Sequence, residues 1–155
     1  MRILYLDIDG VLNSQAYDLN RDWNEQTNID ETRLPLVKEI VDKTGAKIVL
    51  TSTWRSHWNK DETACDDDGR YINRLFAKYG LAIYDKTPEL GRPFLRKDEI
   101  KAWLSEHTNE VERFAILDDY KFGWGELTDH CVFTNPTRGL GLEEEHVARA
   151  IELLN

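Results

Sequence analysis

Residues 3 to 12 read ILYLDIDGVL, and this stretch constrains the fold more than any other. Ile3, Leu4, Tyr5 and Leu6 form a continuous apolar run, the pattern of a strand covered on both faces in a parallel sheet. Carboxylates have no place inside such a sheet, so Asp7 and Asp9 must mark its end. Side chains alternate along a strand, which lets positions two apart converge at its C-terminal edge. That edge is where open α/β sheets place their ligands.

Two more apolar runs end in polar groups. Lys47 to Leu50 leads into Thr51, Ser52 and Thr53, and Phe114 to Leu117 leads into Asp118 and Asp119. Between these runs the period changes to that of helices. Leu34, Val37, Ile40 and Val41 follow helical spacing, with Pro35 at a tolerated starting position and Gly45 as the stop. Ile72, Leu75, Phe76 and Tyr79 mark a second helix closed by Gly80, followed by a short strand, LAIYD. A third helix follows the basic pair Arg96-Lys97 and carries Ile100, Trp103, Leu104 and His107 on one stripe. Cys131 to Phe133 reads as the last strand, and Val147, Ile151 and Leu154 as the inner face of a terminal helix. Alternating strands and helices predict an α/β layer fold, a Rossmann-like three-layer sandwich around a mainly parallel sheet.

The chain has 155 residues, 41% of them hydrophobic, which is enough for one compact domain with a full core and too little for two. A single domain over residues 1 to 155 is expected. A net charge of -9 repels polyanions and counts against nucleic acid as a partner. Cys65 and Cys131 lack the spacing of a zinc site or a disulfide framework, so reduced thiols in a cytoplasmic protein are expected. The N-terminus enters a strand directly, without the pattern of a signal peptide, and no run reaches the length of a membrane span. Oligomeric state is not encoded in these patterns.

Any single strand end of this kind is weak evidence, because Asp and Ser commonly serve as caps and turn residues. Together they bring carboxylates, hydroxyl and amide donors and a cation to one edge of one sheet. Phosphoryl transfer requires that inventory: a metal to neutralise phosphate oxygens, fixed donors around them and an in-line nucleophile.

The runs LYLDIDGVL, KIVLTST, RKDEI and FAILDD occur in that order. In this the sequence resembles the haloacid dehalogenase (HAD) superfamily, whose ordered motifs are an apolar strand with DxDG, an apolar strand with Ser or Thr, a Lys or Arg before a helix, and an apolar strand with DD. TSTWR and the compact RKDEIKAWL helix further resemble the small HAD domains related to RNA repair proteins. The resemblance implies that Asp7 is a nucleophile that becomes an aspartyl phosphate, and that Asp9 serves as acid and then base. It implies an Mg²⁺ held by Asp7, the Asp9 backbone carbonyl and Asp119, with Asp118 in support; oxygen ligands suit Mg²⁺ rather than zinc. Gly10 permits the sharp turn after the second acid. Thr51 and Ser52 both qualify as the motif hydroxyl, with Ser52 and the Thr53 amide the favoured phosphate donors. Arg96 and Lys97 both qualify as the motif cation, with Lys97 favoured.

Ordinary structural roles account for much of the rest. His57, His107, His130 and His146 lack ligand spacing and read as surface or helix-face residues. The acid run DDDG reads as a solvated surface, since it lacks the ligand spacing of a calcium loop. Trp54, Arg55 and Trp58 follow the second motif and are expected near the site mouth, either packing or as a substrate platform. There is no GxSxG elbow, so Ser52 does not read as a hydrolase nucleophile. Residues 13 to 33 are polar and without period, so a flap rather than a helix is expected, and at 21 residues it is too short for a cap domain. The expected protein is therefore a capless Mg²⁺-dependent phosphatase with an open site, acting on a phosphorylated substrate of some size. Two other readings stand beside it: a silent phosphate-binding or protein-interaction module on the same fold, and a nucleic-acid end-processing phosphatase.

Overall fold

The computed structural model describes residues 1–155. Five strands, β1 (Arg2–Leu6), β2 (Lys47–Leu50), β3 (Ile83–Lys86), β4 (Arg113–Asp118) and β5 (Cys131–Phe133), form one sheet in the order β3-β2-β1-β4-β5. Every pairing is parallel, so the expected α/β architecture holds and the sheet is wholly rather than mainly parallel. The strand that carries Asp7 is the central one.

The apolar run of β1 alternates between two cores. Leu4 and Leu6 join Ile48, Leu50, Ala115 and Leu117 on one face, against α2 (Leu34–Thr44), α3 (Asp67–Lys78) and α5 (Glu144–Leu154). Ile3 and Tyr5 join Val49 and Ile116 on the other face, against Ile100 and Trp103 of α4 (Arg96–Glu106) and Trp124 and Leu127 beyond β4. A strand covered on both sides has no polar positions to spare, which is why its sequence lacks alternation.

Three sequence expectations need correction. The 13–33 segment contains a helix after all, α1 (Gln15–Asn20), whose start is capped by the Ser14 hydroxyl accepting from the Tyr17 amide. None of its residues is buried, so no apolar stripe announced it. The acid run is not merely a solvated surface: Asp66 caps α3 by accepting from the Gly69 amide, and Asp67 and Asp68 occupy its first turn. Trp58 is buried in the larger core and donates to Asn73 Oδ1, so it packs and does not line the site.

No inserted domain covers the C-terminal edge of the sheet. The 13–33 segment is instead tied down along its length, with the Asp30 amide donating to the Leu12 carbonyl and the Tyr17 hydroxyl to the carbonyls of Thr27 and Ile29. No helix is long and apolar enough to cross a membrane.

Gly45 ends α2 at φ +69°, and a methyl group added there would meet nothing within 4 Å. Gly45→Ala therefore isolates backbone strain from packing and should cost about 1 kcal/mol in a urea unfolding series, with an unchanged m-value.

Candidate active site

The first two acids leave β1 in opposite states. Asp7 extends the ladder by one rung, its amide donating to the Leu117 carbonyl, and the residue is only 5% exposed. Its Oδ1 accepts from the Ile8 amide at 2.9 Å, and its Oδ2 pairs with an Arg96 guanidinium nitrogen at 3.0 Å. Asp9 is exposed, and both its oxygens have partners: Asn13 Nδ2 at 3.0 Å and the Trp54 indole nitrogen at 3.2 Å. These two donors fix the orientation of a side chain that solvent would otherwise leave free.

Gly10 makes the turn between them. Its φ is +83°, and a Cβ there would lie 2.4 Å from Asp119 Cγ, so both the turn and the approach of the β4 end require a residue without a side chain. Asn13 Oδ1 accepts from the Gly10 amide and Thr134 Oγ1 donates to its carbonyl, both at 2.8 Å. Asn13 thus holds Gly10 and Asp9 at once. The sequence reading passed over it inside a polar segment; its place four residues after Asp9 was the available signal.

From β4 come Asp118, buried, and Asp119, half-buried. Asp118 Oδ2 lies 2.7 Å from the same Arg96 nitrogen that pairs with Asp7, and its Oδ1 accepts from the Tyr120 amide at 2.9 Å. Arg96 therefore bridges the first and fourth motifs. Lys97, the residue favoured from sequence, turns towards Glu126, at 4.0 Å, although it lines the same cavity. The reason is helical: adjacent residues at the start of α4 point about 100° apart, and only one can face the sheet edge.

At the second motif the Ser52 hydroxyl accepts from the Trp54 amide and is almost fully buried, while Thr53 is exposed and lines the cavity. Thr51 is also buried, and its hydroxyl has no protein partner. Arg55 anchors this segment, donating to the carbonyls of Thr51 and Ser52 and pairing with buried Glu99 of α4 at 2.7 Å. Both Arg55 and Glu99 line the cavity, and nothing in the sequence spacing linked them. Among the histidines, His107 stacks on Trp103, His130 on Phe114, and His146 sits in the capping box of α5. His57 pairs with Asp66 at 2.6 Å on the surface and approaches Asp68 at 3.9 Å.

Burial dominates the electrostatics, and the crowding of charge adds to it. Burial, with Asp118 and Asp119 adding repulsion, pushes Asp7 up to about 7 although Arg96 pulls it down. Burial and the charge of Asp118 raise Asp119 as well. One oxygen from each of Asp7, Asp118 and Asp119 can lie within 4.8 Å of the others. An all-oxygen set of three carboxylates, with one guanidinium shared between two of them, carries excess negative charge that a hard divalent cation would neutralise. The residues present fit Mg²⁺.

A family model described as the HAD domain in Swiss Army Knife RNA repair proteins matches residues 3–147. The chain belongs to this HAD family. No curated protein and no solved structure matches it. The matched span of the HAD domain runs from β1 into α5 and takes in the three polar strand ends and the basic pair described above.

The raised Asp7 carries a stability consequence with a definite sign. The folded protein holds the Asp7 proton more tightly than the unfolded chain does, so this residue withdraws stability as pH rises from about 4 to about 7. In chelator, the wild-type melting temperature should fall more between pH 5 and pH 8 than that of Asp7→Asn, a difference worth roughly 1–4 kcal/mol. Mg²⁺ should restore the wild type at pH 8 and the variant much less.

Proposed function

We propose that this HAD domain is a Mg²⁺-dependent phosphomonoester hydrolase that works through an aspartyl phosphate. The observation that carries this reading is the convergence of Asp7, Asp118 and Asp119 with Arg96 at the floor of an open cavity, beside an independently oriented Asp9. Asp7, Asp119 and Asp118, with the Asp9 carbonyl, would hold the metal, whose charge would favour the ionised form of Asp7 and offset that of the phosphate.

The chain's own groups account for the chemistry. An Asp7 oxygen attacks phosphorus, and the ester P–O bond breaks with its electron pair going to the leaving oxygen. Asp9 gives that oxygen a proton. Asp9 then takes a proton from water, which attacks phosphorus, and the bond from Asp7 breaks to release inorganic phosphate. Asn13 and Trp54 keep Asp9 aimed through both steps. Thr53 supplies a donor at the second strand end, next to the buried Ser52, and Arg96 the cation, with Lys97 a further charge in the same cavity.

Intact acid and base groups favour an enzyme over a silent phosphate-binding or protein-interaction module, since a binder has little use for the oriented Asp9. The absence of a cap supports a phosphate presented on a larger molecule. The RNA repair proteins named in the family description support a nucleic-acid end as that molecule, against the opposing net charge of -9.

Asp7→Asn should abolish hydrolysis of an aryl phosphate while leaving the circular dichroism spectrum unchanged, and retained turnover would overturn the mechanism. Asp9→Asn should lower kcat by about 10²-fold or more. Trp54→Phe, which removes one of the two donors to Asp9, should cost about tenfold in kcat with little change in KM. Chelation of divalent metal should stop turnover, and added Mg²⁺ should restore it.

A further inference from the structure

Eight large apolar side chains stand exposed on the molecule, and four of them, Phe94, Leu95, Tyr120 and Phe122, line the cavity that holds Asp7. Single exposed apolar residues are ordinary; half of the total gathered round one site is a patch that marks binding. Tyr120 and Phe122 are 64% and 72% exposed, and Phe94 is 56% exposed.

The patch is held in place. The Tyr120 amide donates to Asp118 Oδ1 at 2.9 Å, and its carbonyl accepts from the buried Trp124 indole at 2.7 Å. The Tyr120 and Phe122 rings lie 5.7 Å apart, edge to face at 72°. Tyr120 directly follows Asp119, so this wall begins one residue from the acidic cluster. The cavity, about 740 Å³, falls within the range of sites that enclose an organic ligand and far exceeds what a phosphate alone requires.

We infer that this wall is a stacking subsite for the leaving group, which carries a nucleobase on the sugar whose phosphate Asp7 attacks. The inference rests on the phosphatase reading and deepens it. Two adjacent aromatic rings on a pinned loop suit a flat π-face, and stacking of this kind tolerates any base. A peptide leaving group would instead call for a strand edge or side-chain pockets. The net charge of -9 opposes a long polyanion, so one terminal nucleotide is engaged rather than a tract. The same chemistry is offered by a free mononucleotide and by the end of a single strand.

The test compares kcat/KM for adenosine 3′- and 5′-monophosphate, single-stranded oligonucleotides with a terminal phosphate, glycerol phosphate and a phosphopeptide. Nucleobase substrates should exceed glycerol phosphate by about tenfold or more, and Phe122→Ala with Tyr120→Ala should cut that ratio by a similar factor. Ranking the mononucleotides against the oligonucleotides identifies the source. A ratio near one, a ratio unchanged in the double variant, or a preference for the phosphopeptide would overturn the subsite. Fluorescence titration of the Asp7→Asn protein with adenosine monophosphate separates the two readings. Binding that the double variant abolishes, in a protein whose wild type hydrolyses nothing, would support the subsite and overturn the phosphatase; hydrolysis of glycerol phosphate without nucleotide binding would do the reverse.

Discussion

Three carboxylates meet at one partly buried point, and a single guanidinium nitrogen touches two of them. Arg96 reaches Asp7 at 3.0 Å and Asp118 at 2.7 Å, so it stitches the end of the central strand to the end of its neighbour and ties both to α4. Charge of one sign gathered in a low-dielectric place opposes folding unless something offsets it. Arg96 offsets part, and the raised Asp7 shows that part remains. The rest of the site holds that remainder in place around Asp7, Asp118 and Asp119.

The support for this point comes from all over the fold. Gly10 lets the β1 turn close down on Asp119, and Asn13 ties that turn to Asp9. Arg55 and Glu99 fasten the second strand end to α4, so the donors of that segment and the Arg96 guanidinium share one mount. A buried ion pair of this kind contributes little net stability, and its better use is to fix relative position.

The sheet, its helices and the three polar strand ends were legible because apolar runs and their terminators are local properties of the chain. Side-chain direction was not. Arg96 and Lys97 are neighbours of the same charge, and only the placement of α4 against the sheet decides which faces the acids. Helix α1 escaped notice because none of its residues is buried, and hydrophobic period is the main sequence signal for a helix. The roles of Arg55 and Glu99 depend on a partner 44 residues away, a distance that no spacing rule spans, whereas Asn13 lies only four residues from Asp9. Trp54 and Trp58, alike in sequence, part ways for the same reason: one donates to Asp9 and the other to Asn73 inside the core.

The strand ends are also laced to one another by backbone bonds that continue past the strands themselves. Thr87 donates to Leu50, Thr51 to Leu6, Asp7 to Leu117 and Thr134 to Asp118, so every neighbouring pair in the sheet shares a rung at the functional edge. Those four amides should exchange with deuterium only when the whole sheet opens, on the timescale of global unfolding. The floor of the cavity then belongs to the slowest part of the protein to open, and motion on faster timescales is left to the loops around it.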